Sequence, residues 1–190
     1  MMISEPTNLF IKTYQKRQAG KQNVMLNYGT APTPFGPALL GWIGPRVCHL
    51  VFCDNEPETR LRKLLALWPA AALKQDDKAA AKLTEEIFTN PGKKNKLPLL
   101  ARGSSFQIKV WQALLNTNPG QTISYSRLAR MADSPQAQRA VGSAMAANPI
   151  AYLIPCHRVI RKNGDLGKYG GGIRRKLAIL EWEARNRKGT

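Results

Sequence analysis

Residues 151–160 read Ala151-Tyr152-Leu153-Ile154-Pro155-Cys156-His157-Arg158-Val159-Ile160, an apolar segment with a thiol and an imidazole side by side at its middle. The thiolate is the nucleophile of cysteine chemistry, and a free thiol with a pKa of ~8.5 is only a few per cent ionised at neutral pH. A cysteine that reacts needs a base or a positive field, and His157 and Arg158 offer both. An isolated Cys-His pair is more often an inert core cysteine beside a satisfied histidine, because free Cys is among the most buried residue types. Cys-x-x-Cys-His is absent, which excludes haem attachment, and the second nearby cysteine of a zinc deaminase site is missing.

Upstream of this segment, Asn148-Pro149 closes a predicted helix over Gln136–Ala147, with Ser134 as its N-cap and Pro135 at its first position. Its residues are small (Ala137, Ala140, Gly142, Ser143, Ala144) apart from Arg139 and a few others. A helix from about Ser126 to Met131 precedes it across a short turn, and the pair fits a helix-turn-helix over about 126–147. Further back, Ser104-Ser105-Phe106-Gln107 is a capping box that opens a helix with Phe106, Val110 and Leu114 on one face. Downstream, Gly170-Gly171-Gly172 alone is a weak phosphate-cradle signal, since no Gly-Lys-Ser/Thr follows it. Arg174, Arg175 and Lys176 open the last helix as a solvated basic face.

The first half of the chain reads differently. Strands are predicted around Val24–Tyr28, Leu39–Ile43 and Val47–Phe52, with Gly44-Pro45 as a hairpin turn. Glu56–Trp68 carries Leu61, Leu64, Leu65 and Trp68 at i, i+3, i+4, i+7, the stripe of a helix packed on a sheet. A second helix fits Asp76–Thr89, stopped by Pro91-Gly92. The expected organisation is a flexible polar arm over 1–22, an α+β domain over 23–98, a basic connector around Lys93, Lys94 and Lys96, and a mainly helical domain over 104–190.

Composition bounds the function. The chain has 190 residues, a net charge of +17, a pI near 10.3 and 43% hydrophobic residues, enough for a packed core and too apolar for disorder. Leu64–Leu73, the longest uncharged apolar stretch, is broken by Pro69 and falls short of the ~20 residues of a bilayer helix. Without a signal-peptide pattern, and with three cysteines, an odd number that suits a reducing compartment, the expected location is the cytoplasm, with no membrane partner. There are 15 basic and 8 acidic residues before Ser104, and 14 and 4 from it onward. The second half is the more basic, and a phosphate-rich partner is expected there.

Ile154-Pro155-Cys156-His157-Arg158-Val159, with Asn148-Pro149 and Arg139-Ala140-Val141-Gly142 before it and Gly167-Lys168-Tyr169-Gly170-Gly171-Gly172 and a helix reaching Glu183 after it, resembles the O6-alkylguanine-DNA alkyltransferases. The match runs from about Ser105 to Glu183, and the module before it looks like the family's N-terminal domain. The resemblance implies an α+β fold, with a ribonuclease-H-like N-terminal module and a helical domain containing the helix-turn-helix. It implies direct-reversal repair, in which Cys156 irreversibly takes the alkyl group from O6-alkylguanine, and less well from O4-alkylthymine, once per molecule. His157 would take the thiol proton through a water and Glu183 would orient His157. Tyr125 would crowd the phosphate of the flipped nucleotide and contact its base, while Asn148 would tie the helix to the active-site segment. The carbonyls of Cys156 and Val159 and the amide of Gly170 would hydrogen-bond the guanine, with Tyr169 on the same loop. Arg139 would fill the space left by the flipped base, and Ala140 and Gly142 would let the helix approach a minor groove only ~6 Å wide. The implied partner is duplex DNA bound without sequence choice by a monomer, with no cofactor. No metal is expected, because strand alternation would point Cys48 and His49 to opposite faces. The alternative is a non-catalytic helix-turn-helix lesion-binding protein or regulator.

Overall fold

The computed structural model describes residues 24–54, 57–89 and 97–186. The polar arm and the connector lysines lie outside the described residues. A four-stranded sheet is built from β1 (Met25–Ala31), β2 (Ala38–Ile43), β3 (Arg46–Phe52) and β4 (Ala72–Gln75) in the order β3-β2-β1-β4. β1–β2 and β2–β3 are antiparallel, and Gly44 takes a positive φ of 55° in the predicted hairpin turn. β4 joins β1 in parallel, after α1 (Pro57–Leu67) has crossed over. The sequence does not announce β4, because all four of its residues are exposed and no alternation marks it. α2 (Asp77–Phe88) follows, capped by the Asp76 carboxylate on the Ala79 amide at 2.9 Å.

A β-bulge interrupts the β2–β3 ladder between Gly41 and Trp42, whose partners are His49 and Val47. Cys48 is the extra residue, so the alternation expected of Cys48 and His49 is broken where it was to separate them. Among the described residues no group of three or more His, Cys, Asp or Glu side chains is close enough to hold a metal ion.

The remaining elements are α3 (Ser105–Leu115), β5 (Ile123–Ser124), α4 (Tyr125–Met131), α5 (Gln138–Ala146), a 3-10 turn at Cys156–Arg158, β6 (Val159–Ile160) and α6 (Ile173–Asn186). The Ser104–Gln107 capping box forms as read, with both reciprocal bonds present. α5 begins two residues later than expected. Asp133 ends α4 in a left-handed conformation (φ 52°), and Ser134–Ala137 then forms a turn of its own. Ser134 and Pro135 are consumed in that turn, and Ala137 caps α5 with no side-chain bond.

The edge of β3 joins the two halves. Val47 exchanges backbone bonds with Pro98 and Leu100, and Leu50 does so with Pro149 and Ala151. One hydrophobic cluster runs through both, from Leu40, Leu50 and Phe52 to Trp111, Leu114, Val141 and Ile154. Trp111 is 1% exposed and donates its indole N–H to the Ala144 carbonyl at 2.9 Å, which fixes α5 on α3. Truncating such a ring costs about 3–5 kcal/mol.

Candidate active site

Cys156 opens the 3-10 turn, held by three neighbouring segments. On one side, Ala151 hydrogen-bonds β3. On another, β6 pairs in parallel with β5, so Ile123 lies beside Val159 and the start of α4 is brought against the site. The third is the loop 161–172, which returns over the thiol before α6. Cys156, half-buried, lines a cavity of about 660 Å³ together with Tyr125, Gly142, Met145, Tyr169 and Gly170.

Burial pushes the Cys156 thiol up from its ordinary pKa, and several groups oppose that shift. The Asn148 amide donates to Sγ at 3.3 Å, Lys176 contributes positive charge, and the backbone N–H groups of Cys156 and His157 act in the same sense. Each favours thiolate over thiol. Asn148 also donates to the Ile154 carbonyl at 2.9 Å and accepts from the Ile150 amide at 3.0 Å. It is not the helix cap, a place taken by Ala147, but a clamp between the end of α5 and the segment before the thiol.

His157 is wholly buried, and its Nε2 lies 3.0 Å from Glu183 Oε1. Burial lowers its pKa, with Glu183 pulling the other way, so the ring is neutral at neutral pH. Burial alone would raise the Glu183 pKa, but hydrogen bonds and charge from His157 and Arg158 outweigh it and hold the carboxyl at about 2. An ionised carboxylate accepts the Nε2–H, which leaves Nδ1 as the basic nitrogen. Nδ1 has no hydrogen-bond partner among the described residues. Tyr152 stacks on the imidazole, with centroids 5.9 Å apart and planes 15° apart, from a left-handed backbone position (φ 68°).

Two groups escaped the sequence reading. Arg158 is not a free field source: it grips Glu183 with Nε at 3.0 Å and Nη2 at 2.7 Å, and gives Nη1 to the Thr117 carbonyl at 2.8 Å. Gly120 adds its amide to Glu183 at 2.9 Å, so the carboxylate is fully engaged. Lys176 is 1% exposed and donates to the carbonyls of Val159, at 2.5 Å, and Leu166. The expected solvated basic face therefore holds only for Arg174. Arg175 is turned inward, donating to the Phe35 carbonyl at 2.7 Å and lying 4.5 Å over the Phe52 ring. A signal for Lys176 existed, since Lys176, Ile179 and Glu183 are spaced as the buried stripe of α6.

Of the other candidates, Tyr125, Gly142, Tyr169 and Gly170 line the cavity, and Val159, Arg139 and Ala140 are not among its lining residues. The Tyr169 hydroxyl is buried and without a hydrogen-bond partner among the described residues. Gly170 is an exposed lining residue, and Val159 is buried with its carbonyl already accepting from Lys176. Arg139 and Ala140 are exposed on α5, and half-buried Gly142 borders the cavity.

A mixed α/β chain with a cysteine-centred pocket, its thiol backed by a buried imidazole–carboxylate–guanidinium array, is the class that fold and site define. A family model described as 6-O-methylguanine DNA methyltransferase, DNA binding domain, matches residues 105–185. The bifunctional transcriptional activator/DNA repair enzyme Ada of Escherichia coli is 35% identical over 177 residues, covering 92% of this chain and 50% of that protein. The methylated-DNA–protein-cysteine methyltransferase of Mycobacterium tuberculosis is 38% identical over 159 residues, 84% of this chain and 93% of that protein. The crystal structure of Mycobacterium tuberculosis OGT in complex with DNA superposes with a TM-score of 0.69 at 35% identity, covering 84% and 94% of the two chains. The chain belongs to the methylated-DNA–protein-cysteine methyltransferase family, and spans about half the length of the Escherichia coli relative.

Proposed function

We propose that the chain is a direct-reversal DNA repair protein that transfers the alkyl group of O6-alkylguanine, and less readily of O4-alkylthymine, to Cys156. The observation that carries this reading is the half-buried Cys156 thiol lining a cavity with room for a base, with Asn148 on its sulfur and a neutral imidazole anchored to Glu183 as its neighbour. The thiol proton passes through a bridging water to His157 Nδ1, and Glu183 and Arg158 fix the ring that receives it. Sulfur attacks the alkyl carbon in line with O6. The C–S bond forms as the C–O6 bond breaks, the electron pair stays on the guanine, and the proton taken from the thiol passes from His157 to the guanine ring. Water does not displace a thiolate from a saturated carbon at a useful rate, so each molecule acts once.

The partner is duplex DNA. The base must leave the stack, at a cost of a few kcal/mol, to reach the thiol. α4 and α5 act as a helix-turn-helix whose second helix enters the minor groove, where the small, exposed Ala140 permits close approach. Arg139 fills the vacated stack, Tyr125 crowds the flipped phosphate, and Tyr169, the Gly170 amide and the carbonyls of Cys156 and Val159 hold the base. Val159 and Cys156 each spend one lone pair within the protein, on Lys176 and on the Val159 amide, and each carbonyl keeps a second. Residues 23–98 form a ribonuclease-H-like domain and 104–190 the DNA-binding and active-site domain, in a monomer that works in the cytoplasm. Among the described residues no helix is long and apolar enough to cross a membrane.

Intact-mass measurement after incubation with O6-methylguanine duplex tests the proposal. The expected result is a gain of one methylene, about 14 Da, at most once per molecule and absent in Cys156→Ala. Repair without mass gain, or binding with neither, would discard it. In the same assay Arg139→Ala should slow reaction in duplex far more than reaction with free O6-benzylguanine.

A further inference from the structure

A second cavity borders the same thiol. A groove of about 400 Å³ shares Cys156, Met145, Ala146, Tyr169 and Gly170 with the cavity assigned to the base, and adds His49 from β3 and Arg60 and Lys63 from α1. In-line displacement makes such a room useful. At the transition state the substituents of the attacked carbon lie in the plane perpendicular to the S–C–O6 axis, so a chain longer than methyl must leave the base cavity sideways, next to sulfur. Apolar walls from Val51, Phe52, Pro149 and Ala151 suit the body of such a chain.

The polar end of the groove is left without hydrogen-bond partners among the described residues. His49 is 2% exposed, and neither ring nitrogen has a hydrogen-bond partner among the described residues. Arg60 Nε is likewise buried without one. Buried polar atoms left this way are uncommon in native proteins, where ordered water or a ligand otherwise meets them. No described lining residue is acidic, and Arg60 and Lys63 make this end of the groove positive. His49 stays neutral at neutral pH, because burial and the Arg60 charge lower its pKa to about 4, and it therefore offers one N–H donor.

We propose that this groove receives the distal part of O6 substituents that end in a carboxylate, with Arg60 and His49 as specificity-determining residues. The proposal rests on the alkyl-transfer reading and adds the class of adduct the site prefers. The test compares Cys156 alkylation rates for O6-(4-carboxybenzyl)guanine and its neutral isostere O6-(4-carbamoylbenzyl)guanine in the full chain. The carboxylate-to-amide rate ratio should exceed the same ratio in Arg60→Gln by about fivefold, the scale of one partly exposed ion pair, and should shrink with added salt. His49→Phe should lower it too, while Arg62→Gln, an exposed change on the same helix outside the groove, should keep the wild-type ratio. An identical ratio in wild type, Arg60→Gln and His49→Phe overturns the proposal, as does failure of both benzyl probes in a protein that still demethylates DNA. Failure of Cys156 to take an alkyl group from any substrate overturns the parent reading instead.

Discussion

The chain contains two histidines, each directly after a cysteine, and the Cys48-His49 and Cys156-His157 pairs meet opposite fates. Cys48 sits in a strand bulge, packed with Leu26, Leu64 and Trp68, where burial drives its thiol up to about 12. Among the described residues no carboxylate holds a proton on His49 beside it, and burial lowers the imidazole pKa to about 4. Burial acts in the same direction on Cys156 and His157, but there it is answered. Asn148 and Lys176 pull the thiol back toward ionisation, and Glu183 anchors the imidazole. The dipeptide is thus no nucleophile by itself. What distinguishes the pairs comes from elsewhere in the chain: an amide 8 residues before the thiol and a carboxylate 26 residues after the imidazole. Access differs as well, since Cys48 is 1% exposed and Cys156 opens on a cavity.

The sharpest way to break this contrast is chemical labelling. With iodoacetamide at neutral pH, Cys156 should be carbamidomethylated while Cys48 stays untouched in the folded protein. A thiol held about three units above its normal value carries roughly a thousandfold less thiolate, and burial slows it further. Peptide mass mapping over time reads both sites at once. Comparable labelling of the two would mean that the surroundings of Cys156 do nothing for its reactivity.

Local signals in the sequence survived folding, and long-range ones were invisible. The Ser104–Gln107 capping box forms because its partners are three residues apart and need no other part of the chain. The strands β1 to β3 and the helix stripe of Leu61, Leu64 and Trp68 are legible because alternation and the 3.6 period record burial. β4 is not, since its four exposed residues become a strand only by pairing with Met25–Tyr28. Ser134 and Pro135 look like a helix start, yet the end of α4 captures them in a turn. At the site, the thiol, the imidazole and Glu183 were readable through a family pattern. The roles of Arg158 and Lys176 were not, because basic residues in sequence look solvated until the carbonyls and carboxylate that bury them are known. Thr117 lies 41 residues from the guanidinium it accepts from.

Glu183→Gln removes the anchor from the reactive pair and brings His157 closer to the state of His49. Alkyl transfer to Cys156 should slow by about 10²-fold, the usual size of one general-base contribution. The variant should also lose about 3–5 kcal/mol in urea unfolding, because Arg158 keeps its buried charge without a carboxylate. Rates are therefore compared well below the new melting temperature. Lost stability with an unchanged transfer rate would make Glu183 a structural residue only.

The smallest expected effect concerns the unanchored histidine. The folded pKa of His49, about 4, lies below the unfolded value of 6.5, so between these pH values the unfolded chain binds the proton and the folded chain does not. Stability from this group is complete above pH 6.5 and falls as the pH drops toward 4, by about 3 kcal/mol in all at 1.36 kcal/mol per unit. Glu183 adds a separate loss at lower pH: its folded pKa of about 2 lies below 4.5, so its contribution is present above 4.5 and drains between 4.5 and 2. The two windows barely overlap. Urea unfolding from pH 7 to pH 4 should show a slope in the wild type that His49→Phe reduces, since phenylalanine takes no proton, and the slope that remains belongs to His157, whose pKa burial also lowers. In the remaining range, below about pH 4.5, both proteins should decline together. A slope between 6.5 and 4.5 that persists unchanged in His49→Phe would show that His49 carries a partner able to stabilise its charged form, and the contrast with His157 would then fail.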